Sequence, residues 1–416
     1  MNTSETSTFH FTENEPTSIV KDFNTFANYI EETPFAMGVK SGHIPYKHLA
    51  ALNESMSSPN TGNTPRTPQR FYPRLHLFHN LALAGNLLQR APSGSSVVLE
   101  PTDRLYEFRS LSDAGQYFSL LETFWVDCPF PDLSFDSYGR GSLGLVLGLE
   151  QFLQIMSESK PGLKITSSVI MMAGFIFDGF LLLCFPIFGW YDFTRQERER
   201  KSSVFLASLT PSHLGVTISK ILLEERPFVK WNIPYRRTLG EIVDYPGQEL
   251  EVEGEYVPFI EAFRKICADG ESLDMLPRQM REHIRGNFVF KVSLGKIWRT
   301  IAISSENTLH DLHLAIQEAF RFDNDHLYAF YMDNRSFSDY SFEHPDSDDG
   351  PWADDAVIGD IDLVINQQFL YLFDFGDEWH FDVRLVNIQT DEPLLPGPEI
   401  LEQKGKAPEQ YGGYYE

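Results

Sequence analysis

The sequence predicts an α+β protein: an α-rich N-terminal region followed by a smaller α+β domain beginning near residue 287. Three observations predict it. Helical spacing of apolar residues dominates the first half, as in "LSDAGQYFSLLETFWVD" (111–127). From 287 onward, alternating strand patterns bracket one well-capped helix. Finally, 416 residues exceed what one ordinary domain holds.

In chain order, "TSIVKDFNTFANYIEE" (17–32) spaces Ile19, Phe23, Phe26 and Ile30 as one helix face. Residues 1–52 are therefore expected as an N-terminal helical segment. "NESMSSPNTGNTPRTPQR" (53–70), rich in Ser, Thr, Pro and Asn, is expected as an exposed linker that tethers it. Residues 71–286 form the α-rich region. There a helical pattern is followed by the strand-like "SVVLEPTDRLYEF" (96–108), then by another helix. The theme returns at "SVFLASLTPSHLGVTISKILLEE" (203–225), where a strand-like run leads into a helix. Two readings stand for this region: winged-helix-like units, or an irregular helical domain with short hairpins.

The C-terminal domain, 287–416, is easier to parse. "NFVFKVSL" (287–294) and "IWRTIAISS" (297–305) alternate as a hairpin. "NTLHDLHLAIQEAF" (307–320) is a helix with Thr308 as N-cap, Asp311 three residues on, and Leu309, Leu312, Ile316 and Ala319 as its buried stripe. "HLYAFYM" (326–332), "QFLYLFDF" (368–375) and "EWHFDVRLVNI" (378–388) supply further strands, and a β-grasp-like arrangement around the helix is expected. A short turn at Gly376 and Asp377 joins the last two, with Gly376 expected to supply the positive φ. Residues 333–362 are an acidic excursion expected to face a partner.

Composition narrows the function classes. Hydrophobic residues are 42% and charged residues 22%, with 34 Phe, so burying a core is no difficulty. The net charge is −25, and residues 287–416 carry 25 Asp and Glu against 8 Lys and Arg. That surface repels phosphate backbones and suits a basic protein, a cation or a neutral ligand, or else serves only solubility; a protein partner is expected, and nucleic acid only through residues 1–286. The three cysteines lack any zinc or disulfide spacing and fit a reducing compartment. No basic-then-apolar leader opens the sequence, so the expectation is a cytoplasmic protein. The apolar stretch 169–190 carries Asp178 and Pro186 and is expected as buried helix, not as a membrane span. The basic "RQERERK" (195–201) alternates with Glu and is expected as a solvated helix face. "SYGRGSLGLVLG" (137–148) has no Lys and lacks phosphate-loop spacing.

"IWR" (297–299), "TLHDLHLAIQEAFRFDNDHLYAF" (308–330) and "YLFDFGDEW" (371–379), with the tail "GKAPEQYGGYYE" (405–416), resemble the plasmid pRiA4b ORF-3-like family over about 130 residues. The resemblance implies a plasmid or mobile-element setting and places motif residues at Trp298, Arg299, Leu312, His313, Ile316, Gln317, His326, Leu327, Asp374, Gly376, Asp377 and Trp379. One departure stands out. The family's histidine beyond the tryptophan falls on Phe381 here, and His380 follows Trp379 directly.

Two functions follow. In the first, favoured reading, the domain is a non-enzymatic binding module without a cofactor. Trp298, Trp379, Tyr371 and Phe375 form its aromatic surface, and Arg299 joins Asp377 to tie the hairpins. In the second, His313, His326, Asp374 and Asp377 hold a divalent metal in an enzyme acting on nucleic acid, with His310 and His313 three apart on one helix face. DNA binding through the N-terminal region is a third possibility.

Overall fold

The computed structural model describes residues 8–411 except 38–41, 94–95, 134–141, 167–179, 196–205, 240, 242–244, 249–255, 279–282, 333, 338–340, 348–349, 362 and 364. The basic run 195–201, the Gly-rich stretch 137–148, the apolar stretch 169–190 and the closing tail each extend into the residues outside that description. The chain divides into two compact units: residues 1–235 with 245–278, and residues 236–244 with 279–416.

The first unit begins with helices α1 (Ile19–Glu32), α2 (Tyr46–Ser55) and α3 (Pro73–Ala84). The hairpin β1 (Leu88–Ser93)–β2 (Ser96–Pro101), α4 (Asp103–Ser110) and α5 (Asp113–Glu122) follow. Next come α6 (Ser142–Glu158), β3 (Ile165–Thr166), α7 (Leu181–Cys184), β4 (Tyr191–Arg195), β5 (Leu206–Pro211) and α8 (His213–Glu225). The short α9 (Phe228–Trp231) and α10 (Ile233–Thr238) end the helical part. Strands β3, β4 and β5 form an antiparallel sheet in the order β3-β5-β4.

Aromatic side chains fill this unit's core. Phe23 of α1 meets Phe78 of α3 and Phe108 of α4 edge to face, at 5.5 and 5.4 Å between centroids. Helix α1 is therefore built into the unit, and the expectation of a tethered N-terminal segment is corrected. The cause is a buried carboxylate, that of Asp22, which requires donors. Ser57, in the stretch expected as a linker, donates to it through its amide at 2.8 Å and its hydroxyl at 2.7 Å, and Arg74 pairs with it as well. The 53–70 stretch is thus fastened to α1.

Phe180–Trp190, the described part of the apolar stretch 169–190, is almost entirely buried. Among the described residues no helix is long and apolar enough to cross a membrane. Cys128, Cys184 and Cys267 are buried and in no disulfide, and burial raises the Cys267 thiol pKa to about 12.

Among the described residues the second unit is a seven-stranded sheet crossed on one face by α11 (Leu309–Phe320). Its strands are β6 (Asn287–Leu294), β7 (Ile297–Ser304), β8 (Tyr328–Tyr331) and β9 (Ser341–Glu343). β10 (Gln368–Phe373), β11 (Trp379–Gln389) and β12 (Glu399–Lys404) complete it. The spatial order is β12-β7-β6-β11-β10-β8-β9, and every pairing is antiparallel. The molecule is thus α+β, with a helical N-terminal part and a large C-terminal sheet.

The core of this unit lies between α11 and the face carrying Phe288, Phe290, Ile301, Ile303, Phe330, Phe369, Tyr371, Phe381 and Val383. On the other face, Ala329, Tyr331, Leu370 and Leu372 form a second cluster. β8 and β10 are therefore buried on both sides, which is why "FLYLF" (369–373) runs apolar without alternation. The capping box forms: the Asp311 amide donates to Thr308 Oγ1 at 3.2 Å, and the Thr308 amide donates to Asp311 Oδ2 at 2.9 Å.

Part of the 333–362 excursion is core, which corrects the expectation of a loop that only faces a partner. Ala353, Ala356 and Ile358 are fully buried. The carbonyls of Ala356 and Ala353 accept the Leu309 and His310 amides at 2.9 and 3.0 Å, satisfying first-turn donors of α11 that have no intrahelical acceptor.

Candidate functional site

The motif residues of the C-terminal unit fall into three places: a buried polar chain on α11, a guanidinium at that helix's end, and the β10–β11 turn.

His313 and Gln317 are one helical turn apart on α11, facing β10. His313 is fully buried, its ring stacked on Tyr328 at 3.8 Å between centroids. Its Nε2 lies 2.8 Å from Asn324 Oδ1, an acceptor, so Nε2 carries the proton. Nδ1 then accepts from the Tyr371 hydroxyl at 2.6 Å, and that oxygen in turn accepts from Gln317 Nε2 at 2.6 Å. The donor sequence Gln317 to Tyr371 to His313 to Asn324 is consistent at every link for a neutral ring. Burial pushes the His313 pKa down to about 3, opposed by the Asn324 bond. His310, beside it, places Nδ1 2.7 Å from the Tyr328 hydroxyl.

Arg299 of β7 is buried and reaches the C-terminal end of α11. Its Nε donates to the Ala319 carbonyl at 3.0 Å, and one terminal nitrogen donates to the carbonyls of Trp298 and Lys404 at 2.9 and 3.2 Å. The guanidinium carbon lies 4.9 Å from the Phe320 ring centroid. The expected Arg299–Asp377 tie is thus corrected: the guanidinium is used on the negative end of a helix and the end of β12, while Asp377 is exposed on a turn.

In the β10–β11 hairpin the paired strands end at Phe373 and Trp379. The two-residue turn expected at Gly376 and Asp377 is instead a loop from 374 to 378, and its left-handed residues are Asp374 (φ 58°) and Glu378 (φ 51°). Gly376 does not supply the positive φ. A Cβ there would stand 3.2 Å from Asp374 Oδ1, so glycine serves the close approach of that carboxylate. Asp374 Oδ1 accepts the Gly376 and Asp377 amides at 2.8 and 3.3 Å. The left-handed step also reverses sidedness, so Phe375 packs on the Ala329–Leu372 cluster, away from Tyr371 and Phe373.

Asp374→Ala removes the one oxygen that accepts two amides and puts alanine in a left-handed conformation. It is expected to destabilise the unit by about 2 kcal/mol. Asp377→Ala, which leaves those bonds in place, should cost less than about 0.5 kcal/mol. Thermal melts of both variants check the contrast.

The metal candidates do not converge. His313 has both nitrogens engaged and Asp374 Oδ1 is held by two amides. His326 is exposed, with Nε2 3.5 Å from Asp374 Oδ2 and 3.8 Å from Asp325 Oδ1. Among the described residues no group of three His, Cys, Asp or Glu is placed to hold a metal ion. Nor do the aromatic candidates form one surface. Tyr371 is fully buried, half-buried Trp379 packs on Phe322 at 5.0 Å, and half-buried Trp298 lies under the Lys291 ammonium at 4.4 Å. Phe381, at the family's histidine position, is fully buried in the core, and exposed His380 has Nε2 3.2 Å from Ser336 Oγ.

Residues 288–416 match the family model described as plasmid pRiA4b ORF-3-like protein. The C-terminal region is similar to the pRiA4b ORF-3-like family. A relative in Sinorhizobium fredii (strain NBRC 101917 / NGR234), the uncharacterized protein y4hQ, is 31% identical over 124 residues. That match covers 28% of this chain and 60% of the relative's length. A solved structure, the protein of unknown function MM3350 from Methanosarcina mazei Go1, matches at 28% identity with a TM-score of 0.26. It covers 30% of this chain and 72% of the other.

One polar cluster in the first unit escaped the sequence analysis. A π-helical turn, Thr123–Asp127, extends α5 and brings Glu122 and Asp127 to Arg278. Glu122 lies 3.3 Å from the guanidinium, while Asp127 binds it through both oxygens. Burial raises the Glu122 pKa to about 7, against the lowering pull of Arg278. The folded state therefore holds a proton that the unfolded chain releases near pH 4.5. Its contribution, about 3 kcal/mol, is present below that pH and fades as pH rises through 7. Glu122→Gln should remove this slope from unfolding free energies measured between pH 4.5 and 7.5.

Proposed function

We propose that the ORF-3-like region is a non-enzymatic binding module for a protein partner with a basic surface, working in a plasmid or mobile-element setting. The observation that supports it most is where the motif residues spend their polar atoms. His313, Gln317, Tyr371, Arg299 and Asp374 are all buried, and their bonds run to one another, to Asn324 or to backbone. They hold helix, sheet and hairpin in register, which is the role of a frame. Chemistry available to a partner lies outside that frame, in a region whose sequence between 287 and 416 carries 25 Asp and Glu against 8 Lys and Arg.

The test uses the full chain and three synthetic peptides of matched length: basic, neutral and acidic. Saturable binding of the basic peptide alone, weakening with added salt, is expected. Cleavage of DNA or RNA in magnesium or manganese, abolished by His326→Ala, would overturn the reading in favour of a nuclease.

A further inference from the structure

Among the described residues the sheet of the ORF-3-like region ends on one side at β12, and all six residues of that strand are exposed. An edge strand leaves alternate backbone N–H and C=O groups without a ladder partner, and such an edge accepts an added strand unless something blocks it. Here the side chains carry specific information, because β12 has a bulge.

The register shows its effect. Glu399 stands opposite Ala302 and Ile400 opposite Ile301, but Glu402 stands opposite Thr300, so Leu401 is the extra residue. In a regular strand, residues three apart point to opposite faces. With the bulge, Glu399 and Glu402 sit beside Ala302 and Thr300, two residues apart on β7, and therefore share a face. It is the face away from α11, since Ile301 and Ile303 between and beyond them belong to the core. Ile400, beside Ile301, projects on the helix side and is 46% exposed, and the bulged Leu401 is 48% exposed. Lys404, beside Trp298, closes the row on the carboxylate face. Asp391 and Glu392, exposed in the segment that leads into β12, add to the negative charge preceding the strand.

We infer that β12 docks an added β-strand from a partner protein, an extended segment alternating basic and apolar residues. Its backbone pairs with the edge, its basic side chains meet Glu399 and Glu402 on one face, and its apolar side chains lie along Ile400 on the other. Charge complementarity selects this occupant. A second copy of β12 would bring Glu399 and Glu402 against an equally acidic region. The inference rests on the binding-module reading above and specifies where that module works.

Fluorescence anisotropy with the full chain and a labelled octapeptide alternating Lys and Val tests it, beside a peptide of the same composition with Lys and Val in two blocks. The alternating peptide should bind more tightly than the block peptide. Binding should weaken roughly tenfold in Glu399→Lys/Glu402→Lys and again in Ile400→Asp. These positions are exposed, so the melting temperature should hold, and circular dichroism checks that the sheet is intact. Equal affinity of wild type and the double variant would overturn the edge as the site while leaving the binding module standing. Equal affinity for the two peptides would overturn strand addition. Failure of the wild-type chain to bind any basic peptide would overturn both readings.

Discussion

Arg299→Met is expected to lower the unfolding free energy of the ORF-3-like region by about 3 kcal/mol. Methionine keeps much of the apolar stem packed near Phe320 but removes the donors that hold the carbonyls of Ala319, Trp298 and Lys404. Hydrogen bonds from a charged donor contribute about 1.5–3 kcal/mol each, and part of that is recovered by repacking. Arg299→Lys keeps the charge but loses the planar fork, so a loss of about 1–2 kcal/mol is expected. Urea unfolding followed by tryptophan fluorescence measures both. Because one carbonyl belongs to Lys404, amide exchange at the end of β12 should also speed up in the Met variant. A loss below about 1 kcal/mol, with β12 exchange unchanged, would mean that the guanidinium does not hold the helix end to the edge strand.

The second large effect is acid sensitivity carried by His313. Its folded pKa is about 3, against 6.5 for an unperturbed ring. The unfolded chain therefore takes up a proton between those values while the folded chain does not. Stability is fully present above about pH 6.5 and is lost as pH falls toward 3. At 1.36 kcal/mol per pH unit the loss reaches about 4–5 kcal/mol. His313→Phe retains a flat ring against Tyr328 and removes the titration. The variant should be less stable than wild type at pH 7, because the Tyr371 hydroxyl and Asn324 lose their partner, yet show a flatter decline down to pH 4. Unfolding free energies for both proteins at half-unit pH steps give the comparison. Parallel declines would show that the ring does not hold its depressed pKa.

How much of this was legible in the sequence depends on how local its cause is. The capping box of α11 was readable because Thr308 and Asp311 are three residues apart and their bonds lie within one turn. The hairpin β6–β7, the identity of β8, β10 and β11, and the ORF-3-like blocks were readable for the same reason. The place of the turn after Phe373 is legible in the sequence, but the residue that takes the positive φ is not. Glycine is the usual answer there, but Asp374 takes that role because its own carboxylate bonds the amides two and three residues on. Asn324, the partner that fixes the protonation of His313, gave no sequence signal. It lies in a loop eleven positions on, and only the fold brings the two together.

The long-range pairs were beyond reach of spacing altogether. Nothing near Arg299 in sequence marks the carbonyls of Ala319 and Lys404 as its partners, and an Arg–Asp pair was the natural guess from charge alone. Glu122 and Arg278, separated by 156 positions, meet only because 272–278 lies along α5, as the Ser112 bond to the Ser272 carbonyl shows. By itself the sequence determined the α+β class, the α11 cap, most strands of the second unit and its acidity, because periodicity, capping and charge are carried by near neighbours. The tertiary structure alone decided which polar groups are buried against one another and which edge of the sheet stays open. Burial and strand order depend on contacts between residues far apart in the chain, and no local pattern encodes them.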